Sequence, residues 1–197
     1  MKLVALVKLM IEQAPGYYAR TLRVIGQDLA DLFPENLAIE AQGDGFVVQG
    51  LCAKGRIGNG ASTTTLASVS RLFGRVLAAL ARGPGGEPDL EFVPFSRTYS
   101  AGDIERLERK QTAQRTGGGM PDIYTLGERL RTIGKVVDSH NGRLVRIFKD
   151  LHRIAFEYQD TGGGSRAEEL SNTELYQLQQ RYAAERGASG VHDSAKA

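Results

Sequence analysis

The chain has 197 residues, 41% hydrophobic and 24% charged, with a formal net charge of only +2, which is the make-up of an ordinary globular protein long enough to bury a substantial core. No apolar run approaches the roughly 18 residues a membrane span requires. Cys52 is the only cysteine, which excludes an intrachain disulfide and a cysteine-built zinc site within one chain, so a reducing, cytoplasmic setting is expected.

The opening segment Met1–Ile11 is apolar but split by Lys8, with no small-residue cleavage site after it, and reads as a helix or strand covering the core. Pro15-Gly16 punctuates. A first amphipathic helix is expected from Tyr17 to about Phe33, ended by Pro34, with the stripe Tyr18, Leu22, Ile25 and Leu29 at helical spacing. Leu37, Ile39 and Ala41 alternate on a strand, Gly43-Asp44-Gly45 turns, and Phe46-Val47-Val48 returns. Cys52, near the end of that strand, is expected as a small buried hydrophobe.

The Gly-rich stretch Gly55–Gly60 leads to an expected amphipathic helix over 62–82, with Leu66, Val69, Phe73, Val76, Leu77 and Leu80 on its apolar face. Leu90–Phe95 reads as a strand, and Pro94, lacking a ladder donor, places it at a sheet edge. A helix follows from about Ala101 to Arg115, and Thr116–Pro121 is a candidate boundary. Beyond it come a helix over 123–140, strands over 144–149 and 153–159, a short strand near 167–170 and a helix over 172–186. Residues 188–197 are expected to be a disordered tail.

Residues 18–49 overlay residues 126–157 without a gap at a shift of 108, with five identities over 32 positions: Leu22, Arg23, Ile25, Gly26 and Ile39. The stripe of the first helix recurs as Leu126, Leu130, Ile133 and Val137, and Gly26 recurs as Gly134. A glycine inside a helix costs about 1 kcal/mol relative to alanine, so its recurrence points to a place where another backbone comes close. At a shift of 71, Ser100 and Asp103 fall on Ser171 and Glu174, and both pairs read as capping boxes that open helices.

The expected fold is therefore α+β: two repeated α-β-β-β-α units with antiparallel sheets, the first over 1–116 carrying the inserted helix 62–82, the second over 123–187. That order is similar to the topology of double-stranded-RNA-binding domains. Those domains open their last helix with lysines that grip phosphates, whereas here Glu168, Glu169 and Glu174 would repel RNA, so the family is not assigned.

The chemistry-bearing residues are sparse. No lysine precedes Ser62-Thr63 as a P-loop requires, and the spacing in Gly55–Gly60 is not a dinucleotide fingerprint. Asp138-Ser139-His140 contains the residue types of a hydrolase triad, but neighbours at a helix end cannot aim at one another. No enzyme activity, cofactor, metal or small-molecule ligand is expected.

Charge is more informative by region. Arg129, Arg131, Lys135, Arg143, Arg146, Lys149 and Arg153 face only Asp138 and Asp150 between 129 and 153, while residues 154–186 carry three arginines against six acids. This basic set is a candidate surface for nucleic acid or an acidic partner, or pairs with the acidic closing helix or with a second chain. Phe148 is its one interleaved aromatic and could equally belong to the core. The leading expectation is a non-enzymatic interaction or scaffold module with a protein partner or a second copy, its interface at Leu66, Phe73 and Leu77. Nucleic-acid binding through 129–153 is the alternative, and association of the 62–82 helix with an anionic membrane surface the third.

Overall fold

The computed structural model describes residues 14–32, 34–55, 90–114 and 125–192. The opening segment, the expected 62–82 helix with Leu66, Phe73 and Leu77, the Gly-rich stretch after Gly55 and the 116–121 boundary lie outside the described residues.

Helix α1 (Tyr17–Leu29) passes through a short 3-10 turn (Ala30–Leu32) into strands β1 (Pro34–Gln42), β2 (Gly45–Gly55) and β3 (Leu90–Tyr99), followed by helix α2 (Ala101–Gln114). The second half runs α3 (Leu126–Ser139), β4 (Arg143–Lys149), β5 (Arg153–Gln159), β6 (Ser165–Ser171) and α4 (Asn172–His192). The closing helix thus continues to His192, past the expected end at 186 and into the expected tail. Gly187 weakens a helix by about 1 kcal/mol, but it does not forbid one as a proline would.

The largest correction concerns the sheets. Two separate three-stranded sheets were expected; instead all six strands form one antiparallel sheet in the order β3-β2-β1-β4-β5-β6. β1 and β4 lie at its centre and pair directly, Ile39 opposite Ile147, Ala38 opposite Phe148 and Glu40 opposite Arg146. Merging the sheets supplies ladder partners for two strands that would otherwise be bare edges. β3 is an outer strand, as Pro94 requires.

One face of the sheet carries the core. Leu37, Ile39, Phe46, Val48, Ile147, Ile154, Phe156 and Tyr158 point to it and are buried against Leu22, Ile25 and Leu29 of α1 and Leu130, Ile133 and Val137 of α3. Each such side chain contributes roughly 1.5–3 kcal/mol on burial. Ile104 of α2 and Leu175 of α4 complete the layer from the flanks. Both outer helices open with the expected reciprocal caps: Ser100 Oγ donates to Asp103 at 2.7 Å, and Ser171 Oγ to Glu174 at 2.7 Å. The acid accepts from the serine backbone N–H in each case, at 3.1 and 2.8 Å. Cys52 is buried, its thiol 3.4 Å from the Val93 carbonyl oxygen.

α1 and α3 cross above the β1–β4 ladder, and glycine makes the crossing possible. A Cβ on Gly134 would stand 2.4 Å from the Ala19 nitrogen and 2.4 Å from the Tyr18 carbonyl carbon. A Cβ on Gly26 would meet the Gly127 Cα at 2.8 Å. These are backbone atoms, which cannot step aside as a side-chain tip can. Gly134→Ala is therefore expected to cost about 3 kcal/mol in urea unfolding, the upper end for overpacking. Gly102→Ala, whose new methyl meets nothing closer than 3.9 Å, serves as the control. It should be neutral or add about 0.5 kcal/mol, and equal losses for the two variants would contradict a backbone clash at the crossing.

Candidate functional site

Two surfaces carry chemistry: a cleft on the helical side and the opposite face of the sheet. The cleft, about 440 Å³, lies above the α1–α3 crossing. Arg20 and Arg23 line it from α1, Arg131, Lys135 and Asp138 from α3, Glu108 from α2, and Tyr182 and Glu185 from α4.

Local sequence positions these groups. Arg20 and Arg23 are one helical turn apart on the same face, next to the buried stripe. Arg131 is held by Glu128, whose carboxylate is 3.1 Å away and almost wholly buried. The Lys135 ammonium stands 4.3 Å from the Tyr182 ring centre, a cation–π arrangement joining α3 to α4. Arg20 lies 3.6 Å from Glu108 in a solvent-exposed pair of little stabilising value.

Asp138 has a structural role that its neighbours in sequence do not suggest. Gly16, the N-cap of α1, has no side chain to offer, and Asp138 accepts from the Tyr18 and Ala19 backbone N–H groups at 3.1 and 2.9 Å. Burial pushes its carboxyl above the usual value, opposed by those two N–H donors. As expected, the Asp138-Ser139-His140 run is a helix end and no triad: Ser139 Oγ donates to the Val136 carbonyl.

The sheet face opposite the helices is uncovered by any element among the described residues. The register sets two rows across it: Ser96, Gln49, Ala38, Phe148, Ala155 and Glu169, then Thr98, Val47, Glu40, Arg146, Glu157 and Ala167. Phe148 stands there with 47% of its surface exposed between two alanines, so it is no part of the core. Arg146 Nε donates to Glu157 at 2.8 Å, and Arg153 pairs with Asp150 at 3.1 Å and Glu169 at 2.9 Å.

The seven basic residues singled out in the sequence are thus not brought into one patch. Arg131 and Lys135 line the cleft, whereas Arg146 and Arg153 stand on the opposite side of the sheet. Arg129 donates to Asn172 Oδ1 at the start of α4, and burial lowers its pKa. Arg143 lies in a small depression with Tyr17, Tyr18 and Phe46. Lys149 is only 8% exposed, its ammonium 3.4 Å from the Pro34 carbonyl oxygen.

Two buried tyrosines serve packing. Tyr99 donates to Asp28 at 2.7 Å, and Tyr158 to Glu168 at 2.7 Å; burial pushes the Tyr158 phenol up to about 12. Among the described residues no three His, Cys, Asp or Glu side chains gather as a metal site, and no helix is long and apolar enough to cross a membrane. Compared with protein-family models, curated proteins and solved structures, the chain matches none of them.

The carboxylates set an acid dependence of known sign. Hydrogen bonds from Ser100, the His152 N–H, Ser165, the Gly164 N–H and Ser171 are the largest causes holding Asp103, Asp150, Glu157, Asp160 and Glu174, respectively, below their usual range. A depressed folded pKa adds stability that is present above the unfolded value and lost as pH falls. Asp138, raised above its ordinary 3.8, has the opposite sign: its contribution is present below that value and lost as pH rises. Wild type should therefore lose stability on going from about pH 6 to about pH 3. Asp138→Asn, which keeps one of the two acceptors and loses the charge, should show a smaller deficit against wild type at the higher pH. A deficit independent of pH would contradict the burial of that carboxylate.

Proposed function

We propose that this chain is a non-enzymatic interaction module descended from a doubled α-β-β-β-α unit, and that it joins a second copy of itself through the uncovered sheet face. The doubling is supported by a common offset. Ile39 and Ile147, which correspond at a shift of 108, face each other across the β1–β4 ladder, as residues beside a twofold axis must. The two close approaches of α1 and α3, Gly26 on Gly127 and Gly134 on Ala19, exchange under the same shift. The first half contributes the larger β2–β3 connection, which includes the segment of the expected partner interface.

Phe148 is the observation that carries the interaction reading. An exposed aromatic on a platform of alanines, in a face no described element covers, is the type of anchor that dominates protein interfaces. Around it the charges alternate in sign, Glu40, Arg146, Glu157 along one row, so a face turned against its own copy can match acid to base.

The position of Phe148 also favours a second reading. Single-stranded nucleic acids stack on exposed sheet aromatics, and Arg146 and Arg153 stand on the same face. Their carboxylate partners would oppose phosphate, which ranks this reading second.

Light scattering across a concentration series separates the two. Self-association through the face predicts a dimer whose dissociation constant rises at least about tenfold in Phe148→Glu, with little change in thermal stability. A wild type that stays monomeric throughout, or a variant that dimerises equally well, contradicts it. Salt-sensitive binding of a fluorescent single-stranded oligonucleotide that is lost in Phe148→Ala would instead select the nucleic-acid reading.

A further inference from the structure

On the helical side, away from the proposed interface, we infer that the cleft above the α1–α3 crossing is a binding site for a small organic phosphate. The inference rests on how the cations are arranged. Arg23 and Arg131 correspond at the shift of 108 and both line the cleft. On α3, Arg131 has a buried carboxylate one turn before it, Glu128. At the corresponding place on α1 stands Arg20, so Arg20 and Arg23 bring two like charges one turn apart to the same cleft. Such a pair destabilises a helix unless something anionic lies between its members and the cations across from them.

The cations across from them are oriented. Glu128 fixes the Arg131 guanidinium at 3.1 Å, and the Tyr182 ring supports the Lys135 ammonium at 4.3 Å. The carboxylates of the lining do not cancel this arrangement equally. Asp138 is committed to two backbone N–H groups of α1, and Glu108 meets Arg20 only at 3.6 Å in a largely exposed pair. Glu185 remains as the acid at the mouth, on α4. Guanidinium groups converging from two helices suit a phosphate, whose oxygens accept paired N–H donors.

The volume chooses among phosphates. About 440 Å³ exceeds what inorganic phosphate fills and falls within the range of small-molecule sites. The ring of Tyr182 gives the carrier a flat apolar wall. The ligand class is therefore a phosphate monoester or diphosphate on a small organic group, with Arg20 and Arg23 on one side of the phosphate and Arg131 and Lys135 on the other.

Isothermal titration and thermal melting of the full chain test this with inorganic phosphate, inorganic pyrophosphate and glycerol phosphate, each against sodium chloride at matched ionic strength. The expected result is a rise in melting temperature of several degrees at millimolar pyrophosphate or glycerol phosphate, and a smaller one with inorganic phosphate. Arg23→Gln and Arg20→Gln should each weaken binding at least tenfold while melting as the unliganded wild type does. Phe148→Glu, on the far side of the sheet, should bind as wild type. Chloride reproducing the shift, or Arg23→Gln retaining the wild-type response, overturns the site and leaves the interface proposal untouched.

Discussion

Two backbones approach each other closely where α1 and α3 cross, and the rest of the structure follows from that contact. With Gly26 against Gly127 and Gly134 against Ala19, the helices come near enough for Leu22, Ile25, Leu130 and Ile133 to reach the same part of the sheet. Directly beneath, β1 and β4 pair through Ile39 and Ile147. One helix crossing and one ladder thus make a single core out of two halves, each of which alone would leave a strand edge bare. Asp138 adds a third tie, since the carboxylate that caps α1 is supplied by α3.

This arrangement places the two functional surfaces on opposite sides. All four helices lie over one face of the sheet, so the cleft between them opens away from the strands and the other face is left for contact. The charges sort accordingly. Arg131 and Lys135 serve the cleft, Arg146 and Arg153 the sheet, and Lys149 is buried at the seam between halves. A run of basic residues that is contiguous in sequence therefore contributes to three environments.

Much of the local structure was legible in the sequence because it depends on near neighbours. The helical stripes, the paired helix glycines, both capping boxes and the edge position of Pro94 rest on residues within a turn or a strand of one another. The union of the two sheets was not legible, because any amphipathic strand with free ladder groups can pair with another. Nor was the cap from Asp138, whose partners lie 119 and 120 residues away. Phe148 was ambiguous for a definite reason. Leu144 and Ile147 both point into the core because the ladder shifts register between Leu144 and Arg146, and that irregularity turns Phe148 outward. A strict alternation read from sequence has no means of locating such a shift, and the run Leu144-Val145-Arg146-Ile147-Phe148 allows either assignment.

Native-state hydrogen exchange tests most directly whether the crossing and the ladder bind the halves into one cooperative unit. The amides of Ile39 and Ile147 in the central ladder, and those of Ile25 and Ile133 in the crossing helices, should exchange with one common opening free energy equal to that of global unfolding. If the amides of one half open at a distinctly lower free energy while those of the other stay protected, the halves fold separately and the shared interface is not what holds the molecule together.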